Sequence, residues 1–334
     1  MFHKYRKTTI LTIMLLLFLG LSFVYPFIGP EDYGKVYYEL DEKANVISKA
    51  PYPPSFKNLL GTDLEGRDML LLLVDGAKFT IITALLIAVL RVILGGIVGI
   101  LLSMWIPKSL TYFKDFFLTF RYIPTLILAI ALMMPVTGRF TGLPYNEILP
   151  YQIAVLVIVA FPSAVIFMSD VIEELKTRQF IEVSYLMGAS RLHILIKHLL
   201  PYVKTYSLLH LVQQFFSTLV LLMHLGIFGL FLGGRTKSGG IGTDPDAPPP
   251  PESLSNEWAG LIGQSFNNLL QAPWMVISPM LAFFVLLFIT NVIKKEIEES
   301  LSSTTVKKKK REKSRTNDIN SDLQQTSSFV FIEK

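Results

Sequence analysis

Apolar residues in this chain fall in long unbroken blocks, without the strict alternation of a half-buried strand. Six of them, at about 8–29, 79–106, 120–138, 148–170, 205–234 and 272–293, can each cross roughly 30 Å of hydrocarbon at ~1.5 Å rise per residue. The pattern predicts six membrane helices. The first block follows Lys4, Arg6 and Lys7, is too long for a signal peptide and leads to no A-x-A-like cleavage site. It reads as a retained anchor with its N-terminus inside.

Composition agrees with that pattern. The 334 residues are 51% hydrophobic and only 17% charged, with a mean hydropathy of +0.48, too apolar for a soluble domain. There is no cysteine, which excludes disulfides, a thiolate nucleophile and a zinc-thiolate site.

The net charge of +5 is unevenly spread, and its distribution orients the chain. With loops on alternate sides, one side receives Lys4, Arg6, Lys7, Lys108, Lys114, Arg121, Lys176, Arg178, Arg191, Lys197, Lys204 and every basic residue from Lys294 onward. These are 21 of the 31 basic residues, against nine basic and 14 acidic on the other side, so the richer side is assigned to the cytoplasm. Both termini are then cytoplasmic.

Four regions follow: an N-terminal transmembrane anchor (1–30), an extracellular loop subdomain (31–78), a transmembrane domain (79–293) and a basic tail (294–334) read as disordered. The tail's clustered lysines suit anionic membrane lipid. Within the transmembrane domain lie a polar cytoplasmic loop, 174–204, and an outer stretch, 235–271, that opens on a Gly/Pro/Ser-rich segment without apolar period.

The cytoplasmic loop carries the most specific spacing. Glu182 is followed by Val183 and Ser184, by Gly188 six positions after the Glu, and by Leu200 and Pro201. This resembles the coupling loop of ATP-binding-cassette importer permeases, E-A-A, three residues, G, nine residues, I, one residue, L-P. Val183-Ser184 replace Ala-Ala, and His198 replaces Ile. A second run, Leu60-Gly61-Thr62-Asp63-Leu64-Glu65-Gly66-Arg67-Asp68, resembles the L-G-T-D-x-x-G-R-D signature of C-type permeases in the dipeptide, oligopeptide and nickel importer family, and Gly76-Ala77 fits its continuation. The resemblance spans about 55–293 and is best in 60–106 and 170–205. It thins beyond Phe216, where Leu225–Gly229 and Glu257–Gly260 resemble separated remnants of one family run.

The resemblance implies an all-α membrane protein, with six transmembrane helices of the ABC importer permease type, a cytoplasmic coupling helix and a small extracellular subdomain. It further implies a multi-pass bacterial cell-membrane protein that forms half of a translocation pathway for peptides or similar small solutes. The implied partners are a homologous second permease, two ATPase subunits that bind ATP and Mg, and an extracellular binding protein. Nucleic acid is not among them. Glu182, Val183, Ser184, Leu186, Met187, Gly188, Ala189, Leu192, Ile194, Leu195 and Pro201 are the implied ATPase-coupling residues, with Glu182 facing a basic group and Pro201 setting the re-entry of the fifth span. In the upstream signature, Gly61 and Gly66 permit a tight turn, Asp63 can cap the next helix, and Arg67 and Asp68 can tie the turn to nearby backbone, while Thr62 completes the motif.

The chain has no G-x-x-x-x-G-K-[ST], H-E-x-x-H or G-x-S-x-G, so nucleotide hydrolysis, metalloprotease and serine-hydrolase readings lack their essential groups. No resident cofactor or metal is expected, and the chain is not expected to be an enzyme. Polar groups inside the spans are few. Arg91 is expected to pair with an acidic or carbonyl group of a partner subunit, the alternative being a substrate carboxylate in the pathway. His210 and His224 are read as hydrogen-bonded filler, and Gln213 and Gln214 as interhelical hydrogen-bond formers. Gly95-x-x-x-Gly99 and Gly229-x-x-x-Gly233 allow close helix approach. An ATP-independent secondary transporter and a non-transporting membrane scaffold or sensor stay open on the residues alone.

Overall fold

A computed structural model describes residues 6–41, 45–120, 123–137, 145–230, 232–233, 235–237, 251–253 and 255–328. Among the described residues, ten α-helices and four short strands are ordered as α1 (Arg6–Ile28), β1 (Tyr38–Leu40), β2 (Val46–Lys49), α2 (Met69–Trp105), α3 (Pro107–Phe120), α4 (Thr125–Thr137), α5 (Tyr145–Lys176), α6 (Gln179–Leu186), α7 (Arg191–Ile194), α8 (Leu200–Ile227), β3 (Arg235–Lys237), β4 (Pro251–Ser253), α9 (Trp258–Ser265) and α10 (Trp274–Ser328). Five helical stretches among the described residues are long and apolar enough to span a membrane: α1, α2, α5, the run from Arg191 to Ile227, and α10.

The expected third span, 120–138, differs. Its described helix, α4, has 13 residues, roughly 20 Å of axis at ~1.5 Å per residue, and residues 121–122 and 138–144 to either side lie outside the described residues. Pro124 lies just before it and Pro135 within it. Arg121 and most of 235–257 lie outside the described residues.

The all-α expectation is corrected by two antiparallel strand pairs, β1 with β2 in the first outer loop and β3 with β4 in the second. Another correction concerns the tail, whose backbone continues α10 through Ser328. From Leu281 onward the sequence has neither glycine nor proline, and its many Lys, Glu and Arg residues are good helix formers.

The core lies where α2, α5, α8, α9 and α10 meet, around Leu72, Ile81, Ile87, Leu156, Leu219, Leu222, Trp258 and Phe283. Gly95 and Gly99 let α2 lie directly against Ala164, Val165 and Met168 of α5, so this glycine pair works inside the bundle. Gly229 and Gly233 instead take positive φ in the turn after α8. The helical start of α2 at Met69, ten residues before the predicted span, follows from its cap. Asp68 Oδ1 accepts from the amides of Leu70 (2.7 Å) and Leu71 (3.4 Å).

Asp63 therefore does not cap α2. It accepts from the amides of Glu65 (2.9 Å) and Arg67 (2.8 Å) and from Arg67 Nε (2.6 Å), holding the turn itself. Burial pushes its carboxyl above the usual aspartate range, against the downward pull of Arg67. Gly66 turns the chain at φ 82°, with the Val36 carbonyl where a Cβ would sit. Thr62 Oγ1 accepts from the Tyr52 amide at 2.8 Å, and the Trp274 indole donates to the Thr62 carbonyl at 3.0 Å. The signature thus joins the outer loop to the starts of both α2 and α10.

Candidate functional site

At the opposite end of α2 a second cluster gathers Met104, Met168, Ile172, Leu175, Ile181, Ile194, Leu199 and Val203. Ile181 and Ile194 are fully buried and come from α6 and α7, so both short helices of the 174–204 loop are rooted in the bundle. Polar ties reinforce the root. Arg191 Nη1 donates to the Met104 carbonyl (3.2 Å), Lys176 Nζ donates to the Ser103 carbonyl, and Lys114 of α3 pairs with Asp170 (2.7 Å) and Glu173 (2.8 Å) of α5.

The turn between the helices is closed by its own backbone. The Ala189 amide donates to Ser184 O and the Gly188 amide to Tyr185 O, both at 3.0 Å, with Gly188 at φ 83°. This is the Schellman arrangement, in which a glycine adopts the left-handed conformation just past a helix end. No atom lies within 4 Å of where a Gly188 Cβ would be, so backbone conformation alone selects glycine. Ser190 then caps α7, its hydroxyl accepting from the His193 amide at 3.3 Å.

This fixed turn presents apolar side chains to the outside. Leu186 and Met187 are 83% and 82% exposed, and Val183 and Leu192 are exposed beside them. Exposed groups of that size rimmed by polar residues mark an interaction surface. Glu182 is exposed in the first turn of α6, and Ser184 Oγ donates to the Phe180 carbonyl at 2.7 Å.

Of the expected contacts, Ile194 is corrected because it is buried, and Leu195 because it packs on the inner cluster; Ala189 also packs there. Tyr185 and Ile196 are exposed and were not singled out, since a helix of four to eight residues gives too little periodicity to identify its outer face. Pro201 does not redirect the chain. It lies at the start of α8 just after a π-helical turn, Leu195–Leu199, in which the Leu200 amide reaches back to Leu195 O. The wide turn carries the helix past the proline without a break.

The intramembrane polar residues also find neighbours within the chain. Arg91 is fully buried, donating to the Leu156 carbonyl from Nε at 3.0 Å and to Thr218 Oγ1 from Nη1 at 2.9 Å, with Gln214 Oε1 at 3.4 Å. The expected partner-subunit group is therefore replaced by a carbonyl of α5 and two side chains of α8. Thr218 was missed because a threonine in an apolar helix gives no signal by itself. His210 stacks on Phe167 with ring centroids 4.0 Å apart, His224 Nδ1 contacts the Val220 carbonyl at 2.7 Å, and Gln213 donates to Glu298 at 3.2 Å. No group of three or more His, Cys, Asp or Glu residues placed to hold a metal occurs among the described residues.

Residues 92–303 match the family model described as the binding-protein-dependent transport system inner membrane component, so the chain belongs to that family. It is 28% identical over 255 residues to the inner membrane ABC transporter permease protein YejE of Escherichia coli (strain K12), covering 75% of this chain and 65% of that protein. The chain thus matches just under two thirds of that relative's length. Over 254 residues it is 25% identical to a protein of Brucella suis biovar 1 named as a candidate peptide transport system permease, covering 75% of this chain and 74% of that one. The methionine ABC transporter MetNI in inward-facing form aligns at 20% identity and TM-score 0.46, over 70% of this chain and 97% of its own.

Proposed function

We propose that this chain is the membrane-spanning permease subunit of an ATP-driven importer for peptides or similar small solutes. It pairs with a second permease, receives cargo from an extracellular binding protein, and is driven by two cytoplasmic ATPases that bind the ATP and Mg. The observation that carries this reading is the α6–α7 turn. An apolar tip of Leu186 and Met187 stands on a backbone-locked bend whose roots, Ile181 and Ile194, lie in the core beside α2, α5 and α8. Such an element can pass a push from a partner into the helices, because a rooted turn cannot absorb it by bending. The bias of basic residues, counted over six crossings, supports a cytoplasmic position for this turn and both termini. The peptide class rests on the names of the relatives.

The test is copurification after changing the tip alone. Leu186→Asp with Met187→Asp should leave the chain in the membrane and lose the ATPase subunits together with solute uptake, since two charges would enter an apolar contact. Retention of ATPase and of normal uptake would overturn the reading.

A further inference from the structure

The way α2 ends is set by the sequence. Ile106 leaves helical geometry at φ −133°, ψ 59°, as the residue before a proline tends to, and Pro107 opens α3. The Leu102 carbonyl still meets an amide, that of Ile106 at 3.1 Å. The Ser103 carbonyl has no such option, because the residue four positions on is Pro107, which carries no N–H. It accepts instead from Nζ of Lys176, the last residue of α5. The Met104 carbonyl accepts from Nη1 of Arg191, the first residue of α7, at 3.2 Å. The two residues that bracket α6 and the Gly188 turn thus each place a cation on the negative end of one helix.

Of the two, Arg191 is the one that rides on the turn. It stands three residues past Gly188 and directly after Ser190, whose hydroxyl caps the same short helix. The other root of α7, Ile194, lies in the apolar cluster with Met104. Apolar packing is non-directional and resists separation more than sliding, whereas a hydrogen bond fixes distance and direction together. Arg191 is an exposed residue, and the carbonyl it reaches belongs to buried Met104. From there α2 runs for 37 residues, about 55 Å at ~1.5 Å per residue, past the Arg91 hydrogen bonds to the Asp68 cap at its other end.

We infer that Arg191 is a positioning residue for coupling: its bond to the Met104 carbonyl ties α7 to the end of α2, so that α2 follows the turn when an ATPase displaces it. The inference rests on the reading of the α6–α7 turn as the ATPase contact. Lys176 holds the neighbouring carbonyl from α5, so this helix end keeps one cationic cap when Arg191 is changed.

Because the chain has no cysteine, spin labels on cysteines introduced at Leu101 of α2 and Phe288 of α10, both exposed, can read the spacing of these two helices. The full complex, with cysteine-free partner subunits, would be reconstituted in lipid vesicles and measured without nucleotide and after trapping with ATP, Mg and vanadate. With Arg191 in place the distance should shift on trapping. Arg191→Met should lose the shift with ATPase content unchanged, and Arg191→Lys should restore it, since one donor serves the Met104 carbonyl. An undiminished shift in Arg191→Met would overturn the inference, as would failure of Arg191→Lys to restore it. Loss of the ATPase from Arg191→Met would also overturn it, by making Arg191 part of the docking surface. With Arg191 in place, a bound ATPase and no shift would overturn the inference alone, whereas absence of the ATPase would overturn the proposed function and the inference with it.

Discussion

Arg91 Nε lies 3.0 Å from the main-chain carbonyl oxygen of Leu156, a bond that crosses from α2 to α5 in the buried centre of the bundle. Nη2 reaches the same oxygen, and Nη1 turns to Thr218 of α8. One planar group thus pins three helices. The groups that it meets are neutral, so the arrangement acts through geometry and hydrogen bonding, with no opposing charge in contact among the described residues.

Arg91→Lys should therefore destabilise the bundle although it keeps the charge. An ammonium cannot match a fork that serves Leu156 and Thr218 at once, and each charged hydrogen bond lost costs about 1.5–3 kcal/mol. The check is the melting temperature of the purified complex in detergent, which should fall for Arg91→Lys and for Arg91→Leu. If Arg91→Leu melts normally and loses only anionic cargo, the residue belongs to the pathway and the structural role is wrong.

What could be read from sequence follows the range of the interaction that decides each feature. The turn at Gly188 and the tight loop from Gly61 to Asp68 were legible because backbone conformation and local side-chain acceptors fix them within a few residues. The exchange of roles between Asp63 and Asp68 was not, since both carboxylates stand near the same amides and only the fold decides which one caps α2. Arg91 was recognised as an expensive group needing a partner, but the sequence does not reveal that Leu156, 65 residues away, supplies its carbonyl. Ile194 and Leu195 were assigned to the outside because a four-residue helix has no readable period, and burial against Met104 and Met168 settles them inward. Length identified five of the six apolar blocks as long helices, and α4, with 13 described residues, is the exception.

Gly188 offers a cleaner test of the α6–α7 turn than a bulky substitution. Since nothing lies near its missing Cβ, Gly188→Ala adds no clash, and its expected effect is the strain of φ 83°, about 1 kcal/mol at this one turn. Gly188→Asn should be milder, because asparagine tolerates the left-handed region. Uptake per assembled complex should then rank Gly above Asn above Ala, with membrane content unchanged. An equal rate for all three would mean that the turn's shape does not limit coupling.

Glu257 supplies a prediction about pH. Its carboxyl is buried at the start of α9, where Oε1 accepts from the Leu232 amide at 2.9 Å, next to a Gly233 amide that donates to Gln152 of α5 at 2.7 Å. Burial pushes its pKa from the ordinary 4.5 to about 7, with the amides of Leu232 and Gly260 pulling the other way. In the unfolded chain the group releases its proton near the ordinary value, so between about 4.5 and 7 the folded state holds a proton that the unfolded state has lost. Stability present at the acid end of this window is accordingly lost as pH rises through about 7. Glu257→Gln keeps the acceptor for Leu232 and removes the titration, so its melting temperature should vary less over that window than that of the unmodified chain. Parallel pH profiles for the two proteins would show that Glu257 does not change its protonation on folding, and would leave its hydrogen bonds with the Leu232 and Gly260 amides as its contribution.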